Sequence, residues 1–138
     1  MKKFSNYYPL LRKEKISPSI LKFTFEAGDI AKFANPGQFI QLRTSRDYFP
    51  LWPRPFSIHD ADPRSGELSI IFKVFGCGTS QLADISIGRE VYLLGPLGNG
   101  FRLLKDESNV IMAAGGVGMP PVFFLAKRSI QNGYPAER

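Results

Sequence analysis

The chain opens as a series of short stretches in which apolar and polar side chains alternate. Residues 20–26 alternate with period two, residues 38–43 do so again, and residues 68–75 and 90–94 read as further strands. Turn chemistry separates them. Asn35-Pro36-Gly37 is a turn, Pro53-Arg54-Pro55 punctuates before a strand at 56–58, residues 60–66 form a polar turn, and Gly88 precedes the strand at 90–94. The spacing predicts one short helix in this part, over 79–85, with Thr79 as its N-cap. Six or so strands at this spacing predict an antiparallel barrel or sandwich over residues 1–103.

The pattern changes after residue 104. Residues 108–114 are a short, almost wholly apolar strand, followed by Gly115-Gly116-Val117-Gly118 and a helix over 120–131. Pro120 suits a first helical turn and Asn132-Gly133 a helix stop. This is the opening β-turn-α of a doubly wound fold, whose buried strand needs parallel neighbours. None follow, so residues 104–138 are expected to be the truncated start of a second domain. No internal repeat or low-complexity segment occurs.

Composition narrows the classes. With 138 residues, 43% hydrophobic and 22% charged, the chain is globular rather than disordered, and 13 Gly with 11 Pro argue against a helical bundle. One cysteine, Cys77, excludes an internal disulfide and by itself holds neither zinc nor an iron–sulfur centre, and a single His59 argues against a histidine metal site. The net charge of +6 is uneven. Residues 1–50 carry nine Lys/Arg against four Asp/Glu, while residues 51–103 balance five against five. That excess suits a solvated face or an anionic ligand; no run of five basic residues points to nucleic acid. Asn6, Pro9, Arg12 and Lys13 interrupt any signal-peptide core, and the apolar runs at 110–114 and 122–126 are too short to span a bilayer. The expectation is a cytoplasmic protein with no membrane partner.

Four constellations carry candidate chemistry. In Arg54-Pro55-Phe56-Ser57, Arg54 and Phe56 share one face of a strand. A guanidinium there can grip a pyrophosphate and the aromatic can lie on a flat ring system; spacing alone favours the other reading, an ordinary strand with a surface Arg and a core Phe. Gly76-Cys77-Gly78-Thr79 leads into the short helix, so its backbone can approach a phosphate, or it is simply a capped glycine turn. Cys77 reads as a small filler. Gly95-Pro96-Leu97-Gly98-Asn99-Gly100-Phe101 is either a plain turn or a loop shaped against a ligand or a neighbouring domain. Gly115-Gly116-Val117-Gly118-Met119-Pro120, between strand and helix, has the context of a dinucleotide phosphate turn without the full G-x-G-x-x-G pattern. His59, Asp60 and Asp62 read as solvated turn residues, and nothing forms a nucleophilic triad or a carboxylate pair.

Taken in order, these motifs resemble the ferredoxin–NADP⁺ reductase superfamily. Pro36-Gly37-Gln38-Phe39 is similar to the start of a strand of its flavin barrel, Arg54-Pro55-Phe56-Ser57 to its Arg-x-aromatic-Ser motif, Gly76-Cys77-Gly78-Thr79 to its Gly-x-Gly-Thr turn, and Gly115–Pro120 to the opening of its nucleotide domain. Within the superfamily, Arg54–Ile58 and Gly95–Phe101 most resemble the electron-transfer subunit of bacterial dihydroorotate dehydrogenase, with hydrogenase and sulfite-reductase electron-transfer subunits as alternatives. The resemblance implies a six-stranded antiparallel Greek-key barrel that binds FAD, over residues 1–103, and the first β-α unit of a Rossmann-like NAD(P) domain over 104–138. It assigns Arg54, Pro55, Phe56, Ser57, Ile71, Phe72, Lys73, Gly78 and Thr79 to FAD, and Gly115, Gly116 and Gly118 to NAD. It implies NAD(P)H and a catalytic dehydrogenase subunit as partners, in pyrimidine biosynthesis. The [2Fe–2S] centre of that family needs four cysteines; this chain has only Cys77 and lacks those ligands. The rival from another class is a non-flavin barrel that stacks single-stranded nucleic acid on its aromatic residues.

Overall fold

In a computed structural model of the chain, residues 2–43, 53–103 and 110–135 are described. Six strands, β1 (Phe4–Ser17), β2 (Ile20–Glu26), β3 (Phe39–Arg43), β4 (Arg54–Asp62), β5 (Glu67–Lys73) and β6 (Glu90–Leu97), close into an antiparallel barrel in the order β1-β2-β5-β4-β3-β6. Strands β3, β4 and β5 form a meander, and β6 returns to lie beside β3, which is Greek-key connectivity. Three helices accompany the barrel: α1 (Gly28–Phe33), α2 (Cys77–Ala83) and α3 (Met119–Gln131), the last preceded by a 3₁₀ turn at Gly116–Gly118.

The period-two runs form strands because each supplies alternate apolar residues to one interior. Phe23, Phe25, Ile40, Leu42, Ile58, Leu68, Ile70 and Leu93 are fully buried there. Strand β1 serves two partners. Its first half pairs with β6, its second half with β2, and a register shift between Leu10 and Arg12 bends it from one to the other. Helix α1 closes one end with Ile30 and Ala31. Tyr8 donates its hydroxyl to Asp29 on α1 at 2.7 Å, and burial, reinforced by that acceptor, pushes the phenol pKa upward.

Several expectations change. The long β1 and the six-residue α1 carry no clean period in the sequence. Helix α2 begins at Cys77 rather than at 79, and its N-cap is Gly76, because Gly76 adopts φ +79° and turns the chain two residues earlier. His59, Asp60 and Asp62 lie within β4 rather than on a solvated turn, which is confined to the residues after Asp62. Residues 110–114 form no strand; the remainder of the expected strand, 108–109, lies outside the described residues. Among the described residues no parallel neighbour is present to pair with that segment, and Ile111 stands 95% exposed. The helix that follows forms as expected, with prolines in its first turn.

Gly95–Phe101 proves to be internal packing. Gln38 donates through Nε2 to the Gly98 carbonyl at 2.9 Å, and the Phe101 amide donates to the Pro36 carbonyl at 2.6 Å. A Cβ on Gly98 would stand 2.9 Å from the Phe39 ring, and one on Gly95 would stand 2.7 Å from Ile40. These glycines let the loop close against the turn at Pro36–Phe39.

Candidate functional site

The barrel is incompletely zipped between β4 and β5. Residues 58–62 of β4 pair with 67–70 of β5, but residues 54–57 pair only with β3 and residues 71–73 only with β2. The two strands therefore diverge, and a cavity of about 280 Å³ opens between them. Pro55, Phe56 and Ser57 line one side, Ile71, Phe72 and Lys73 the other. Pro55, Phe56 and Ser57 belong to the Arg54 motif, and Ile71, Phe72 and Lys73 are residues that the family resemblance assigns to FAD. Phe56 and Phe72 meet with ring centroids 5.5 Å apart, which provides apolar surface next to strand edges whose ladder has parted. Such a slot suits a flat heterocycle with donors and acceptors along its rim.

At the start of β4, Arg54 reaches the first turn of α2. A Cβ built on Gly78 would stand 2.5 Å from Arg54 Nε and 2.8 Å from Nη2, so the guanidinium occupies the space that a side chain at 78 would take. Two motifs 24 residues apart thus meet at one point beside the cavity. The first helical bond of α2 runs from the Ser80 amide to the Gly76 carbonyl at 3.0 Å, so the amides of Cys77, Gly78 and Thr79 precede the helical ladder. A cation and leading amides together favour an anion. Thr79 is not the cap; it shapes the turn. Its Oγ1 accepts the Phe75 amide at 2.6 Å and donates to the Gly76 carbonyl at 3.2 Å. Cys77 is exposed.

Val117, from the Gly115–Gly118 turn, completes the cavity wall, a position no local sequence signal indicates. Around Gly115, Gly116 and Gly118 themselves, an added Cβ meets nothing within 4 Å, so no packing within the described residues requires glycine there. A second, more polar cleft of about 530 Å³ lies at the far end of β4, between Ala61–Arg64 and Lys127–Asn132; it is the seam between barrel and α3 and contains none of the motif residues.

That seam is built on a bulge. Ile58 pairs with Ile70 and Asp60 with Ser69, leaving His59 as the extra residue. His59 and Asp60 thereby both face α3. The His59 ring stacks on Phe123 at 4.7 Å and 7°, His59 Nδ1 lies 3.0 Å from Ser69 Oγ, and Asp60 pairs with Lys127 at 2.5 Å. Burial holds the His59 pKa below its ordinary value, with Lys22 and Lys127 adding to that and Asp60 and Glu14 opposing it.

No protein-family model matches the chain. It is 41% identical over 112 residues to the electron-transfer subunit of dihydroorotate dehydrogenase B (NAD⁺) from Desulforamulus reducens, covering 81% of this chain and 43% of that protein. It is 32% identical over 135 residues to the subunit of the same name from Shouchella clausii, covering 96% and 52%. The chain thus spans about half the length of the curated relatives it matches. Among solved structures, an NADH-dependent reduced ferredoxin–NADP oxidoreductase superposes with TM-score 0.83 at 27% identity, covering 94% of this chain and 46% of that one. The ferredoxin reductase of carbazole 1,9a-dioxygenase gives TM-score 0.80 at 20% identity, covering 95% and 41%, a likeness of fold. No helix among the described residues is long and apolar enough to cross a membrane.

Proposed function

Because the chain belongs to the ferredoxin–NADP⁺ reductase superfamily and is homologous to dihydroorotate dehydrogenase B electron-transfer subunits, we propose that it is the FAD-holding part of such a subunit, relaying electrons between a partner dehydrogenase and NAD(H). The observation that carries this reading is the convergence of Arg54 and Gly78 beside the cleft between β4 and β5. A dinucleotide flavin needs a flat, partly apolar slot and an anion site next to it, and those are what the two halves of the site offer. When bound, the flavin supplies the redox chemistry, accepting electrons in pairs or singly.

The chain's own residues bind and orient. Arg54 places two N–H donors against the pyrophosphate, and the glycine at 78 leaves room for both. The amides of Gly78 and Thr79 add donors, while the Thr79 side chain keeps the turn in shape. Phe56 and Phe72 provide the apolar surface under the ring system. Ser57 and the backbone groups at 71–73 that face away from β2 hydrogen-bond its polar edge. Val117 closes the slot from the side of the glycine turn. Gly115, Gly116 and Gly118 hold the nicotinamide nucleotide, on the open surface they leave, in a domain that starts at about residue 104. A catalytic dehydrogenase subunit is the partner, with pyrimidine biosynthesis as the setting.

The test is flavin binding by the purified chain. FAD is expected to be retained through gel filtration with the visible bands of an oxidised flavin. Arg54→Ala should weaken binding by about 1.5–3 kcal/mol, roughly ten- to a hundredfold, since it removes a charge-assisted pair of hydrogen bonds. A chain that neither retains FAD nor alters its fluorescence would overturn the reading. An unchanged dissociation constant for Arg54→Ala would remove Arg54 from the phosphate site.

A further inference from the structure

We infer that the polar cleft between the barrel and α3 binds a small molecule through an oxyanion group, at a site separate from the flavin cleft and independent of the FAD reading. The cleft encloses about 530 Å³, a volume that suits a small molecule. Its walls come from two elements far apart in the chain. Asp62 and Arg64 stand at the end of β4 and in the turn that follows it, and Lys127, Arg128, Gln131 and Asn132 on the last turns of α3 and its cap. None of these residues lines the flavin cleft.

Three cations face one carboxylate here. Asp62 is engaged by its own turn. The Arg64 amide donates to Asp62 Oδ1 at 2.8 Å, and that bond, with further donors from Ser65, holds the carboxyl below the usual carboxylate range. Lys127 is paired with Asp60. The two arginines are not matched in this way. Arg64 is exposed, and its guanidinium has no partner among the described residues. Arg128 donates through Nη2 to the Ala61 carbonyl at 3.3 Å, while its Nε is buried and has no acceptor. A buried guanidinium N–H without an acceptor is costly, and an oxyanion is the group that a planar fork satisfies through two parallel bonds.

The site is also held in shape. The Arg128 guanidinium lies over the ring of Phe124, 5.3 Å from its centroid, and Phe124 is fully buried. The carbonyls at the end of α3, which would repel an anion, are taken up within the chain. The Asn132 amide donates to the Arg128 and Ser129 carbonyls, the Gly133 amide to the Ile130 carbonyl, and Asn132 Nδ2 to the Arg128 carbonyl at 2.7 Å. Gln131 brings a side-chain amide to the same wall for the polar body of the ligand. A molecule gripped by Arg64 on one side and Arg128 on the other ties the turn after β4 to α3.

The experiment titrates inorganic pyrophosphate and citrate, at ionic strength held constant with KCl, into purified Arg54→Ala protein by calorimetry. That background removes the guanidinium of the other anion site. One binding site per chain is expected. Adding Arg64→Gln should weaken it by about threefold or more, and Arg64→Gln with Arg128→Gln by about tenfold or more. Lys15→Gln, which removes a cation outside the cleft, should leave it unchanged. Circular dichroism checks the fold of each variant, and if the Arg128 substitution unfolds the chain, the exposed Arg64→Gln decides. Binding of pyrophosphate alone assigns a phosphate ligand, of citrate alone a carboxylate ligand, and of both an oxyanion site open to either. Binding of neither, an unchanged constant for Arg64→Gln, or an equal loss for Lys15→Gln would overturn the site.

Discussion

Single glycines separate binding from stability at this site. Gly78 faces the Arg54 guanidinium, the mobile end of a long side chain, whereas Gly95 faces Ile40, a fully buried core residue. The two Ala substitutions should therefore diverge. Gly78→Ala should push Arg54 aside and weaken flavin by about tenfold or more while the melting temperature stays within a degree or two of the parent. Gly95→Ala should cost about 1–3 kcal/mol of stability through overpacking, measured by denaturant unfolding, without a selective effect on flavin. Equal melting temperatures for the two variants would show that the Gly95 contact relaxes freely. Arg54, Phe56 and Gly78 were legible in the sequence because each sits in a short motif whose residue types have a physical use. Val117 was not legible, since its part in the cleft depends on where a distant turn comes to rest.

At the scale of the element, the bulge at His59 decides how α3 is held. The sequence around it reads as polar turn because Asp60 and Asp62 are short acids ahead of Pro63; nothing local shows that a strand continues through them. Only the pairing with β5 does so. The consequence is a pH dependence. Burial lowers the folded-state pKa of His59, so the unfolded chain binds the proton more readily. The stability this contributes is fully present above the ordinary value of 6.5 and is lost as pH falls through the lower, folded-state value. The thermal midpoint should thus fall on acidification below 6.5. In a His59→Gln variant, which keeps a polar side chain and cannot titrate, that part of the profile should flatten. A slope unchanged by the substitution would place the titration in another group.

Over the whole molecule, the barrel closes on itself and α3 is attached from outside. All six strands lie between residues 4 and 97, and most of the core lies on them and on α1. Phe124, fully buried against the outer face, is the main apolar loss if α3 is removed. A chain ending at residue 103 is expected to unfold cooperatively with the same strand content, at a lower midpoint. Its single histidine should titrate closer to 6.5, because Phe123 and Lys127 no longer cover it. Proton NMR of that one imidazole reads the change directly. Loss of cooperative unfolding would show that barrel and helix are one folding unit.

The sequence by itself determined strands β2 to β6, the helix after the glycine turn and the motif residues on β4 and at the start of α2. Each follows from side-chain period or from the backbone freedom of Gly and Pro, which act over a few residues. Tertiary structure alone decided that β4 and β5 part company to open the cleft, that Arg54 meets Gly78, that Gly95–Phe101 packs inward, and that His59 is buried. Those outcomes depend on which strands become neighbours and in what register. Pairing between residues far apart in the chain sets them, and no local pattern encodes it.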